Sequence, residues 1–337
     1  MSQALFLIEL AGEAALLLWG LHMVQSGVAR AFGMRLRAVL GIALGNRIRA
    51  VGAGLVATAA LQSSTATALM IGSFAAGAGV ALAPALAAML GANIGTALIV
   101  VAVSFEVAVL APALILAGVI AFRSGRGSRA KDLGRAAIGL GLMLTALHLL
   151  SASMAPVESS PGLTRVLDAV AEMPLPNLVI AAVLAWAAHS SVAAVLFVAS
   201  LATTGALGPE ALVAMVLGAN LGSAVNPLLG ALGETGPERA RMRVALGNLL
   251  NRVVGVVIVL AALPTLLPHL GPATALLAAL VHLGFNIATA LLALPLLSPL
   301  ARGLERLVPD RPPAEDPGAA RYLDEAALET PPVALAN

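Results

Sequence analysis

The sequence predicts an all-α polytopic membrane protein with two inverted-topology repeats, each containing a re-entrant helical hairpin, plus a final transmembrane helix. Three observations predict it: the composition, an internal repeat, and the distribution of basic residues. Of 337 residues, 60% are hydrophobic and 11% charged, and the mean hydropathy is +0.97. A water-soluble chain of this length could not hide so much apolar surface, because its exterior must be wetted. The charges cluster, leaving apolar stretches of the ~20 residues that cross a ~30 Å hydrocarbon core. Only helices and closed barrels satisfy their backbone in lipid. The runs are rich in Ala, Leu, Val and Gly without period-two alternation, which excludes a barrel.

The same counts exclude other classes. The pI is near 9.9, but the arginines are dispersed beside apolar runs and aromatics are 3%, so no nucleic-acid partner is expected. There is no cysteine, hence no thiol nucleophile or thiolate metal site. No cofactor motif is present, and no metal other than a sodium ion is expected. Residues 1–28 lack a basic start and stay apolar too long for a cleavable signal.

Taken in order, a first helix is expected over 4–28, followed by an Arg-bearing loop to about 48. The segment 49–80 is apolar but interrupted by Gln62, Ser63, Ser64 and Thr65. Helices follow at 83–103 and 105–122, then a basic stretch at 123–135 and a helix at 136–155. After a Pro- and Glu-containing loop comes 176–206, apolar and interrupted by His189, Ser190 and Ser191. Helices at 210–231, 243–263 and 273–300 complete the apolar part. Residues 303–337 are polar and Pro-rich and read as a disordered cytoplasmic tail. The units are therefore 1–133 (first repeat, hairpin 49–80), 134–265 (second repeat, hairpin 176–206), 266–302 (final helix) and 303–337.

The repeat is legible by sliding the chain 127 residues. Gln62-Ser63-Ser64 then falls on His189-Ser190-Ser191, and Gly91-Ala92-Asn93-Ile94-Gly95-Thr96 on Gly218-Ala219-Asn220-Leu221-Gly222-Ser223. At this offset 13 of the 36 positions from 62 to 97 are identical. Ala and Leu inflate such scores, but the polar matches do not arise that way.

If both interrupted segments enter and leave on one side, every Lys and Arg except Arg165 and Arg252 falls on a single face. By the positive-inside bias that face is cytoplasmic. The amino terminus is then outside and the carboxyl terminus inside, in a multi-pass protein of the cell (inner) membrane. If both segments crossed instead, the 123–135 cluster would move outside and the bias would weaken. Each interrupted segment is also too long for one span and suits two half-helices. Three crossings then separate the repeats, so the copies are inverted and their polar tips meet near the midplane, as in secondary transporters.

Half-helix amino termini after each break carry free N–H groups suited to an anion, and hydroxyls can donate to its oxygens. Exposed carbonyls and Ser/Thr oxygens suit sodium. The candidate anion-binding residues are Gln62, Ser63, Ser64, Thr65, His189, Ser190 and Ser191. The bland alternative is that such hydroxyls bond their own i−4 carbonyls. It is weakened by two clusters at matched positions. Candidate sodium ligands are Ser64, Thr67, Asn93, Thr96, Asn220 and Ser223. The glycines spaced by four beside them read as close helix packing. Asn226, Asn248, Asn251, His282 and Asn286 are polar residues in apolar helices, either interhelical glue or site lining. Arg252 could pair with Glu13 or Glu9, or reach for an interface.

These residues resemble the bacterial sodium/phosphate cotransporter family, related to the type II sodium-phosphate cotransporters. Gln62-Ser63-Ser64-Thr65 is similar to its duplicated Gln-Ser-Ser-Ser motif, and Gly91–Thr96 and Gly218–Ser223 to its Gly-Ala-Asn-x-Gly-Thr element. His282-Leu283-Gly284-Phe285-Asn286 resembles a His-x-x-Phe-Asn element, with Gly247-Asn248-Leu249-Leu250-Asn251 as a degenerate copy. The resemblance covers about residues 5–308. It implies inorganic phosphate as substrate, sodium as coupling ion, and the two tips as the site. The second copy departs from the pattern, with His189 for Gln and Val192 for a hydroxyl. The expected function is sodium-coupled phosphate symport by alternating access, with a phosphate exporter or a passive anion channel of the same fold as alternatives. A homodimer is left open. An intramembrane hydrolase is disfavoured, because adjacent Ser and His do not form a nucleophile–base pair.

Overall fold

The computed structural model describes residues 3–77, 80–104, 110–154, 173–203, 205, 207–232 and 239–310. Within them the chain folds into twelve α-helices and short 3-10 turns, with no strand among the described residues. In order these are α1 (Gln3–Ala43), α2 (Arg47–Leu61), α3 (Ser64–Gly77), α4 (Leu82–Ser104), α5 (Ala111–Ser124) and α6 (Ser128–Met154). Then come α7 (Pro174–Ala187), α8 (Ser191–Thr203), α9 (Pro209–Leu232), α10 (Ala240–Leu266), α11 (Ala275–Ala293) and α12 (Leu297–Leu307). Among the described residues, five stretches are long and apolar enough to cross a membrane: Leu82–Ser104, Ser128–Leu150, Pro209–Leu232, Ala240–His269 and Ala275–Leu307.

Expected boundaries move at four places. The loop expected from 29 to 48 is mostly helix, since α1 runs unbroken to Ala43. Arginine is a good helix former, so charge alone does not end a helix. The turn falls instead at Gly45-Asn46, where the Asn46 side chain caps α2 by accepting from the N–H groups of Ile48 and Arg49. Helix α6 begins at Ser128, inside the basic stretch. The single final helix expected over 266–302 is two helices. Thr274 caps α11, and a 3-10 turn at Leu294–Leu296 separates it from α12. Helix α12 also takes in residues 303–307 of the expected tail. Residues 311–337 and Arg165 lie outside the described residues.

Helices α4 and α9 form the buried centre, with nearly every position from Leu82 to Ala97 and from Ala211 to Ala224 enclosed. Each has a short helix laid on it at glycine contact. A Cβ at Gly91 or Gly95 would strike the carbonyl of Val51 or Leu55 on α2. A Cβ at Gly218 or Gly222 would strike that of Leu178 or Ala182 on α7. All four pairs correspond at the 127-residue offset, so the packing repeats as the sequence does. Glycine pairs at Gly20/Gly139 and Gly118/Gly134 bring α6 equally close to α1 and α5. Helix α11 packs on α4 and α8.

Candidate functional site

Helix α2 ends at Leu61 because Gln62 turns into the left-handed region, with φ 51°. Its N–H still donates to the Thr58 carbonyl at 2.7 Å, and its own carbonyl accepts from Gln25 Nε2 of α1 at 3.0 Å. Ser63 restarts the chain as helix: its Oγ accepts the Ala66 N–H at 3.1 Å, satisfying one amide that the first turn of α3 leaves free. Thr67 Oγ1 donates to the Ser63 carbonyl and accepts from the Thr58 hydroxyl, both at 2.9 Å. Ser64 and Thr65 are half-buried on the first turn of α3.

The second break repeats this backbone. His189 has φ 51° and donates its N–H to the Trp186 carbonyl at 3.1 Å. Ser190 Oγ accepts the Ala193 N–H at 3.2 Å, capping α8. Ser191 is buried, whereas the His189 side chain is exposed. Asn226 of α9 reaches the break, donating Nδ2 to the Trp186 carbonyl at 3.3 Å.

The remaining candidates gather around one residue. Arg252 of α10 is 2% exposed. Its Nη1 donates to the Asn220 carbonyl and, at 2.8 Å, to Ser223 Oγ; its Nη2 donates to Asn93 Oδ1 at 2.6 Å. Asn93 Nδ2 donates in turn to Asn248 Oδ1 at 2.9 Å, and Asn286 Nδ2 to Asn220 Oδ1 at 3.1 Å. Asn286 Nδ2 also donates to the His282 carbonyl one turn before it. Asn93 and Asn220, equivalent by the repeat, are thus bridged by one guanidinium.

The carboxylate partner considered for Arg252 is not there: all three of its acceptors are neutral oxygens, and Glu13 instead accepts from the Ser153 hydroxyl. Thr96 bonds its own i−4 carbonyl, Ala92, at 3.0 Å, the bland alternative for a helical threonine. Asn251 is half-buried and stays outside the cluster. Asn93, Asn220 and Ser223, grouped in the sequence as sodium ligands, here surround a cation the protein carries itself.

Several buried polar atoms have no hydrogen-bond partner: Gln62 Oε1 at the first break, Ser191 Oγ and Asn226 Oδ1 at the second, and Arg252 Nε and His282 Nδ1 in the core. Buried polar groups are normally satisfied; away from these places, Glu13 Oε2 and Arg135 Nε are orphaned too. Sequence reasoning did not rank Arg252 among the site residues and passed over Gln25 and Thr58. A lone arginine inside an apolar run was the available signal for the first. Nothing local marks the other two.

Residues 16–152 match the model of the Na+/Pi-cotransporter family. A curated relative from Escherichia coli, named "Putative inorganic phosphate export protein YjbB", is 40% identical over 336 residues, 99% of this chain and 61% of its own length. The Salmonella typhimurium protein of the same name is 38% identical with the same coverage. The chain therefore spans about three-fifths of these relatives. The Bacillus subtilis protein YqeW is 26% identical over 90% of this chain and 99% of its own length. No solved structure matches the chain. Over residues 16–152 the chain is thus similar to the Na+/Pi-cotransporter family, and over nearly its whole length to relatives named for phosphate export.

Proposed function

We propose that the chain is a membrane carrier of inorganic phosphate, working by alternating access, with the two helix breaks as its binding site and sodium as its coupling ion. The observation that carries this reading is the set of orphaned polar atoms at Gln62, Ser191, Asn226 and Arg252, in and beside both breaks. Phosphate oxygens can accept from the Ser191 hydroxyl and the Arg252 Nε–H, while the Gln62 and Asn226 amide oxygens are acceptors that suit a cation or a phosphate hydroxyl. The first N–H groups of α3 and α8 lack intrahelical acceptors, and the helix dipole favours an anion there. Ser63 and Ser190 use their oxygens to cap, which leaves their hydroxyl protons free to donate.

In this reading the helix pairs α2–α3 and α7–α8 are re-entrant hairpins of inverted repeats. The basic face is cytoplasmic and the amino terminus outside. Sodium would be held by hydroxyl and carbonyl oxygens of the first break, with Ser64 and Thr65 the available side chains. The relatives' name favours net export, and a carrier runs in whichever direction its gradients dictate.

The test is radiolabelled phosphate flux in proteoliposomes holding the full chain. Saturable flux that follows an imposed sodium gradient, with counterflow, is the expected result. Flux without saturation or counterflow would mean a passive anion pore, and no flux by folded protein would remove the phosphate reading. Ser64→Ala should weaken phosphate affinity several-fold.

A further inference from the structure

The guanidinium of Arg252 is enclosed without a counter-ion among its bonded partners. Its acceptors are the Asn220 carbonyl, Ser223 Oγ and Asn93 Oδ1, and its Nε is buried and unpartnered. Burying an unpaired charge in a membrane core is costly, and dipoles of neutral oxygens offset only part of it. The three oxygens come from both copies of the Gly-Ala-Asn element and form the kind of cage a hard monocation would select. That cage cannot hold a second cation. Two unit charges 4 Å apart repel by about 4 kcal/mol at an effective dielectric of 20.

The cage also adjoins the second break. Ser223 and Asn226 lie one turn apart on α9, and Asn226 Nδ2 holds the Trp186 carbonyl in the turn that leads to Ser190 and Ser191. Ser223 and Asn226 thus link Arg252 to an anion seated at that break. The attraction of a guanidinium for such an anion is still about 2 kcal/mol at 8 Å for the same dielectric.

We propose that Arg252 is a resident cation of the transport site: it fills the oxygen cage of Asn93, Asn220 and Ser223 in place of a mobile coupling cation and supplies the positive charge against which the anion is held. The carrier then moves its anion with one mobile cation fewer than a site with the cage open. This rests on the phosphate reading above.

The test is equilibrium binding of radiolabelled inorganic phosphate to the purified full chain in sodium chloride and in choline chloride, with thermal unfolding recorded for every variant. Arg252→Gln should bind phosphate at least tenfold more weakly in choline. Sodium should restore part of that loss by entering the opened cage, so the sodium-to-choline affinity ratio should rise at least tenfold above wild type. Arg252→Lys, which keeps the charge, should keep the wild-type ratio. Asn93→Asp places a carboxylate against the guanidinium. It should weaken phosphate binding at least tenfold while the unfolding temperature holds or rises, an outcome a structural staple would not produce.

Wild-type affinity and salt response in folded Arg252→Gln would overturn the proposal. If that variant does not fold, wild-type affinity in Asn93→Asp overturns it equally. Absence of phosphate binding by folded wild type in either salt would remove the phosphate reading instead, which keeps the two failures apart.

Discussion

Gln62 and His189 share a φ of 51° and each precedes a serine that caps the next helix, but the first break is tied by hydroxyls and the second is enclosed by packing. At the first, Thr58, Thr67 and the Ser63 carbonyl form a short chain of hydrogen bonds, and Gln25 holds the Gln62 carbonyl. The repeat places Ala185 and Ala194 where Thr58 and Thr67 stand, and both alanines are fully buried. Helix α8 is buried along most of its length, whereas α3 exposes Ala66, Leu69 and Ser73. One backbone turn is thus held in two ways. Hydrogen bonds fix a break whose helix is partly uncovered, and apolar enclosure suffices where the helix is surrounded.

The largest expected effect probes what the two regions share. Gly91→Ala and Gly218→Ala each drive a Cβ into a backbone carbonyl, which cannot yield as a side chain can. Each should cost about 3 kcal/mol or more and remove the folded peak in size-exclusion chromatography. Gly52→Ala on the open face of α2 has nothing within 4 Å and should be neutral or slightly stabilising.

Exchanging the two means of attachment should show them to be non-interchangeable. Ala194→Thr overfills an enclosed position and should cost about 1–3 kcal/mol by thermal unfolding. Thr67→Val removes two hydrogen bonds from the first break and should cost about 1–2 kcal/mol, read as faster amide exchange in the first turn of α3. Thr58→Val added to Thr67→Val should recover part of that loss, because the stranded hydroxyl goes too. Equal responses at both breaks would dissolve the contrast.

The serine caps should behave alike. Ser63→Ala and Ser190→Ala should each cost about 1 kcal/mol. A large difference between them would mean that one hydroxyl has a structural partner beyond its cap.

The smallest effect lies outside both breaks. Asp310 accepts the Arg239 N–H at 2.9 Å and pairs with Arg243 Nη2 at 2.8 Å, and these contacts hold its carboxyl below the usual range, the backbone bond foremost. A lowered folded value means the stabilisation is present above the ordinary carboxylate value of about 3.9 and is lost as pH falls through the lowered one. Because the pair is solvent-screened, Asp310→Asn should cost less than about 1 kcal/mol at pH 7. Its difference from wild type in unfolding temperature should close in acid.

Both interruptions were legible because they are local: Gln62-Ser63 and His189-Ser190 break the apolar pattern where the helices end. The glycine contacts were legible because a spacing of four puts small residues on one helix face. The Arg252 cluster was not, since its acceptors lie 29 to 159 residues away in sequence and periodicity does not choose among donors. Nor was the reach of α1, because the arginines taken to mark a loop propagate a helix well. The pairing of Gln25 with Gln62 depends on how α1 lies beside α2, which no local signal encodes.

The glycine contacts also limit how the molecule can move. With Val51 and Leu55 seated on Gly91 and Gly95, no slack exists for α2 to slide along α4, and the same holds for α7 on α9. On the carrier reading proposed above, a rearrangement that changes which side is open would swing each pair as one stiff lever, with the flexing at Gln62-Ser63, His189-Ser190 and the contacts of α3. A crosslink between α2 and α4 should therefore leave turnover intact, while one that clamps α3 to α10 should stall it.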